Sequence, residues 1–181
     1  PMWSRRRGAG GRRGGLKLLP ILLFGGYLLY YYVSNQQEVP LTGRTQLVDL
    51  SRDQEAALGY QTYRQILNQS PVVPAGPQVE QVREIGRRLA ANAEDPGFEW
   101  EFNVIRSDQV NAFCLPGGKV AVYTGILPVA ANEDGLAVIM GHEIAHAIAR
   151  HGAERIAHQK LVQMGTLAVG LALSDMEPDT Q

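Results

Sequence analysis

The stretch that most constrains this chain is Val138–Ile148, VIMGHEIAHAI, which contains His142-Glu143-Ile144-Ala145-His146. The pattern H-E-x-x-H acquires a chemical meaning on a helix. Residues four apart lie about 40° apart on one helical face, so His142 and His146 can offer two imidazole nitrogens to one ion. Glu143 lies about 100° round the helix, close enough to hold a water on that ion. Zinc suits two imidazoles plus a carboxylate, with an open position for water. Such a water is acidified, and Glu143 can take its proton as it attacks a carbonyl. Leu136, Ala137, Val138, Ile139, Met140, Ile144, Ala145, Ala147 and Ile148 make the helix apolar nearly all round, so it is expected to be buried. Two histidines and a glutamate buried there are costly without partners, and a metal supplies one. The competing reading is a core helix whose histidines are merely hydrogen-bonded.

With 181 residues, 45% of them apolar, the chain can build one domain, or one domain plus an appendage. Its charge is uneven. Residues 1–17 carry Arg5, Arg6, Arg7, Arg12, Arg13 and Lys17 and no acid, which leaves 11 Lys+Arg against 18 Asp+Glu, a net of −7, for the rest. An acidic body argues against a nucleic-acid surface. The single cysteine, Cys114, excludes an internal disulfide and a multi-cysteine zinc site. It reads as a small packed residue rather than a nucleophile.

Four regions follow from the N-terminus. Residues 1–15 are rich in Arg and Gly and are expected to be disordered. Residues 16–33, LKLLPILLFGGYLLYYYV, have one charge at their edge and could rise about 27 Å as a helix, close to a bilayer core. Tyr30, Tyr31 and Tyr32 suit an interfacial aromatic belt, and the preceding arginines place the N-terminus in the cytoplasm and the body outside. A cleaved signal peptide is the rival, but SNQQEVP offers no A-x-A-like site, which favours an uncleaved anchor in the lipid bilayer. Residues 34–50 read as a tether with an ordered end. Residues 51–181 form the folded part.

In that part, Ser51-Arg-Asp-Gln54 resembles a capping box that opens a helix through about Asn68, with Ala56, Leu58, Tyr63, Ile66 and Leu67 as its apolar side. Pro77 can start a second helix to about Ala93, with Val79, Val82, Ile85, Leu89 and Ala90 inward. Asp95-Pro96-Gly97 is a turn. Phe98–Ile105 alternates like a strand. Pro116-Gly117-Gly118 is a further turn before a second strand, Lys119–Thr124. Asn132 is placed to cap the metal helix and Gly152 to end it. A last helix, about Ala153–Leu173, becomes apolar over 161–173, too short to span a membrane securely. It is expected to pack on the core or touch the bilayer.

Three stretches, LTGRTQLVDLSRDQEAALGYQTY (41–63), NAFCLPGGKVAVYTGIL (111–127) and HEIAHAIARHGAER (142–155), resemble the membrane-associated zinc endopeptidases of metallopeptidase family forty-eight. The likeness is to the single-anchor periplasmic and mitochondrial intermembrane-space branch. It implies an α+β, zincin-like fold, one Zn2+ held by His142 and His146, Glu143 as catalytic base, and a strand after Gly117-Gly118 that borders the cleft. It also implies a third ligand, a glutamate on a later helix, so the chain to Gln181 is expected to lack that ligand and to bind zinc weakly as it stands. Glu154 lies about 12 Å beyond His146 on a continuous helix and reaches the ion only if the chain folds back at Gly152. Glu177 sits in a polar tail and is a weak candidate. His151, about 180° round from His142, should point away.

The resulting expectation is a membrane-anchored zinc endopeptidase that hydrolyses misfolded or misassembled envelope proteins. Its compartment would be the periplasmic face of a bacterial inner membrane or, in a eukaryote, the intermembrane-space face of the mitochondrial inner membrane. The quality-control role and the unfolded polypeptide partners rest on the resemblance. The substrate is expected to add to an edge strand at Gly118, Lys119, Val120, Ala121 and Val122 by main-chain hydrogen bonds. The alternatives are a non-catalytic chaperone or adaptor of the same fold, and a structural membrane protein whose motif is accidental.

Overall fold

A computed structural model describes residues 18–39, 42–94 and 97–174. The basic segment 1–15, Leu16 and Lys17 of the expected anchor, Asp95-Pro96 of the expected turn and Glu177 lie outside the described residues.

Helix α1 (Leu18–Ser34) has 17 residues, a rise of about 25 Å. Among the described residues no helix is long and apolar enough to cross a membrane. Within 34–50, expected as a tether with an ordered end, the structure forms a hairpin. Strands β1 (Gln36–Glu38) and β2 (Thr45–Leu47) form an antiparallel hairpin, and Val39, Leu47 and Val48 are buried.

Helix α2 (Arg52–Gln69) begins where the capping box predicts. The Gln54 amide donates to the Ser51 hydroxyl at 3.2 Å, and the Ser51 amide donates to Gln54 Oε1 at 2.9 Å. Tyr63 is fully buried, but Leu58 is exposed. Helix α3 (Pro77–Asn92) buries Val79, Val82 and Ile85, the stripe its 3.6-residue periodicity announces.

Between these helices stands a four-stranded sheet made of β3 (Val72–Val73), β4 (Glu101–Ile105), β5 (Ala112–Leu115) and β6 (Lys119–Tyr123), in the order β3-β4-β6-β5. Strands β4 and β6 are parallel, with Phe102 opposite Val120 and Val104 opposite Val122. Side chains alternate across the sheet. Phe102, Val104, Val120 and Val122 therefore meet Val79, Val82 and Ile85 of α3, together with Leu136, Met140, Ile144 and Ile148, in the main core. On the other face, Ala121 and Ile105 meet Tyr63, whose hydroxyl donates to the Val120 carbonyl at 2.6 Å. The turn between β5 and β6 needs glycine: Gly117 and Gly118 take φ of 83° and 80°. A Cβ on Gly118 would lie 2.9 Å from the Trp100 ring.

A short helix α4 (Leu127–Ala130) leads to α5 (Glu133–Ile148), which carries the motif, and α6 (His151–Ser174) completes the α+β fold. Gly152 does not end α5. The helix stops at Ile148, and Arg150 reverses the chain with φ of 62°. The Arg150 side chain is buried. Its Nε donates to Glu55 Oε1 at 2.8 Å, Nη2 donates to the Leu50 carbonyl at 2.7 Å and to Glu55, and Nη1 donates to Gln37. One guanidinium thus ties the end of α5 to the N-terminal hairpin and to α2.

Removing one member of a buried ion pair leaves the other charge uncompensated, at a cost of about 3–5 kcal/mol. Arg150→Met is expected to lower unfolding stability by that order in denaturant titrations, with Glu55→Gln giving a smaller loss.

Candidate metal and catalytic site

The motif helix starts at Asn132, whose side chain accepts from the Gly135 amide at 2.9 Å, as the sequence predicts. Its buried residues Leu136, Met140, Ile144, Ala147 and Ile148 form one stripe against α3 and the sheet. The expectation of a helix buried all round is corrected. His142, Ala145 and His146 are exposed, and Val138 is 72% exposed. Apolar residues outside the stripe stay in the open because α3 and the sheet can cover only one side of a single helix.

On the open side His142 Nε2 and His146 Nε2 lie 2.9 Å apart, so the two rings converge on one point, as four-residue spacing requires. The other nitrogen of His146 is also engaged: its Nδ1 lies 2.6 Å from Nδ1 of His151. Sequence reasoning sent His151 to the far side of a continuous helix. The left-handed Arg150 breaks that helix and folds His151 back onto His146. A non-glycine residue with positive φ leaves little local signal, and the adjacent Gly152 attracts the prediction of the helix end.

The three rings constrain each other's protons. A neutral imidazole carries one N–H, so His146 can donate at Nε2 or at Nδ1 but not at both. A metal at the paired Nε2 atoms requires both bare. The His146 proton then sits on Nδ1 and is donated to a bare His151 Nδ1. Burial, followed by the nearby His146, shifts the His151 pKa downward, toward the neutral form such an acceptor needs. Outer partners of this kind fix the ring orientation of metal-ligating histidines.

Two neutral imidazoles fit zinc as two of its ligands. Among the described residues no cluster of three or more His, Cys, Asp and Glu side chains could hold a metal. Glu154 does not turn toward the motif. Arg44 grips it through two hydrogen bonds of 2.8 and 2.7 Å, and that partner depresses its carboxyl pKa.

Strand β5 runs beside the motif helix and packs against it. The Cys114 thiol is pushed up to about 12, by burial first and by the Glu143 carboxylate second. Cys114 is therefore a packed thiol, as expected, and its position marks how near β5 comes to Glu143.

The expected edge strand is corrected. Lys119–Tyr123 is paired on both sides, with β4 and β5, and has no free main-chain edge. Lys119 is buried rather than a guard against edge pairing, and its ammonium donates to the Glu99 carbonyl. Val120, Ala121 and Val122 are buried, and Gly118 is a turn residue whose carbonyl accepts from Glu101. The edge on this side is β5. The Tyr123 amide donates to the Asn111 carbonyl at 3.0 Å, so main-chain groups of Asn111, Phe113 and Leu115 face β6 while those of Ala112 and Cys114 face outward. Four residues are too few for a period-2 pattern to stand out, so β5 was not legible.

Residues 77–178 match the model of peptidase family M48. The mitochondrial metalloendopeptidase OMA1 of Schizosaccharomyces pombe is 39% identical over 127 residues, 68% of this chain and 38% of that protein. Its counterpart in Saccharomyces cerevisiae is 36% identical over 149 residues, 75% of this chain and 43% of that protein. A putative beta-barrel assembly-enhancing protease of Vibrio cholerae is 35% identical over 131 residues, covering 72% and 27%. The chain spans less than half the length of these curated relatives.

If His151 orients His146, removing its acceptor nitrogen should weaken metal binding without unfolding the domain. His151→Phe is expected to reduce zinc affinity about 10–100-fold in a chelator competition, with an unchanged far-UV spectrum. Unaltered affinity would leave His151 a bystander.

Proposed function

The chain belongs to peptidase family M48, and from that premise we propose that it carries the catalytic helix of a zinc-dependent endopeptidase acting on misfolded or misassembled membrane and envelope proteins. The observation that carries the proposal is the convergence of the His142 and His146 Nε2 atoms on the open side of α5, with Glu143 beside edge strand β5. The printed names of the relatives, a mitochondrial metalloendopeptidase and a beta-barrel assembly-enhancing protease, support the substrate class.

In this reading His142 and His146 hold the metal. Zinc bound there would polarise the scissile carbonyl and acidify a water. Glu143 accepts the proton of the attacking water and returns it to the leaving amine. His151 keeps the His146 proton on Nδ1. An extended substrate adds to β5 through the outward main-chain groups of Ala112 and Cys114, a mode that fixes register while asking little of sequence. Residues 16–33 tether the domain to a membrane. The continuous apolar surface of α1, with Leu19, Leu22, Leu23 and Leu29 exposed, supports the tether, and the basic residues before it support a body outside the cytoplasm.

Two measurements on the full-length protein test the mechanism. Glu143→Gln should keep stoichiometric zinc and lose roughly 10²–10⁴-fold in casein-cleavage rate; undiminished proteolysis with zinc bound would refute the assignment of the base. Proline at Cys114 removes an outward amide and should weaken peptide cleavage while zinc and fold persist. Proline at Phe113 removes an amide that faces β6 and should destabilise the sheet. Equal effects of the two on the fold, or no effect of Cys114→Pro on cleavage, would exclude β5 as the docking edge.

A further inference from the structure

Helix α6 leaves the domain along α1, and the two share a half-buried seam. On α1 the residues that are not exposed are Phe24, Leu28 and Tyr31, spaced as one stripe. On α6 they continue beyond the buried Ala157 as Lys160, Leu161, Met164, Gly165 and Ala168. The end of the seam nearest the domain is polar. Asp49 accepts from Lys160 at 2.7 Å and faces the Tyr31 hydroxyl. From that level α1 runs back to Leu18 and α6 runs on to Ser174, each about 20 Å. Neither arm carries a charge over that distance.

The outward faces of both arms are mainly apolar and uncharged, although Gln163 and Thr166 are also exposed on α6. On α6, Val162, Leu167 and Val169 are 67%, 62% and 58% exposed, and α1 is exposed almost throughout. Tyr27, Tyr30 and Tyr32 stand exposed toward the domain end, where amphipathic rings meet the head-group level. An apolar surface of this extent is not left to water.

We propose that the second half of α6 is a membrane-inserting element, so that the domain is held by an α1–α6 helical hairpin rather than by one helix. The occupant of the exposed faces is the hydrocarbon of a lipid bilayer. Three observations select it: the equal charge-free reach of both arms, the tyrosines near their domain end, and the Asp49–Lys160 pair that closes the apolar zone. The proposal rests on the reading of residues 16–33 as a membrane tether and adds a consequence. Because α6 follows directly from the turn that sets His151 against His146, the open face of the motif helix is fixed relative to the membrane surface.

The test places an environment-sensitive nitrobenzoxadiazole label on single cysteines in the full chain carrying Cys114→Ser. The positions are Leu167→Cys on α6, Leu22→Cys on α1 and Leu58→Cys on the exposed side of α2. Each protein is reconstituted in phosphatidylcholine–phosphatidylglycerol vesicles, with nitroxides on the acyl chains or iodide in the water as quencher. The expected result is quenching at 167 by acyl-chain nitroxides comparable to that at 22, with position 58 quenched by iodide alone. Lipid quenching at 22 with iodide quenching at 167 would overturn the hairpin and leave the single tether standing. Shielding of 167 from both quenchers would also overturn it, because protein and not lipid would then cover α6. Iodide quenching at both 22 and 167 would remove the tether as well.

Discussion

The buried guanidinium of Arg150 is the interaction on which the arrangement of this molecule depends. A non-glycine residue in the left-handed region costs on the order of 1–3 kcal/mol and persists where its surroundings over-determine it. Here they do. Glu55 from α2, Gln37 from β1 and the Leu50 carbonyl all converge on one side chain. The reversal they hold ends α5 two residues after His146, turns His151 back onto that histidine, and launches α6 along α1. Arg150 itself is remote in sequence from its partners, with Glu55 95 positions away and Gln37 113 away, so one side chain joins the end of the motif helix to the N-terminal hairpin.

What could be read from the residues alone divides along this line. Local rules carried through. The Ser51–Gln54 box, the Asn132 cap, the α3 stripe and the glycine turn at 117–118 each rest on contacts within a few positions, and each stands where the chemistry puts it. The convergence of His142 and His146 also needed only helical geometry. Apart from the short strand β5 and the exposed Leu58, the misses are long-range. Nothing near Lys119 says that β4 will pair with β6 in parallel, and nothing near His151 says that Glu55 will stabilise a left-handed arginine before it. The hairpin within 34–50, a stretch expected to be a tether with an ordered end, is hidden for the same reason: its polar side chains look solvated until Arg150 and Lys160 supply partners for Gln37 and Asp49.

The motif helix shows a related tension. Its composition suits burial on every side, yet only the face toward α3 and the sheet is covered. A catalytic helix has to satisfy two demands at once. In the proposed function one stripe is packed tightly enough to hold the backbone, and the opposite stripe stays open for metal and substrate. Apolar residues such as Val138 and Ala145 stay exposed on the open stripe, and they explain why a composition-based reading overestimates burial.

The strand order then decides which strand lies at the sheet edge beside α5. Because β6 takes the interior position between β4 and β5, the connection from β4 must cross over to lay β5 on the outside, against α5. The alternation fixed by the Tyr123–Asn111 bond turns Phe113 and Leu115 toward α2 and leaves Cys114 on the face that meets α5. That same alternation aims the Cys114 main-chain groups away from β6 along the edge, while its side chain lies within electrostatic reach of Glu143. Exchanging β5 and β6 would set the outward main-chain groups of β5 against β4 and carry the edge away from Glu143. The one-strand displacement between the expected docking strand and β5 is therefore a constraint of topology: among the described residues, the outer strand of this pair has one side without a sheet partner, and the inner strand has none.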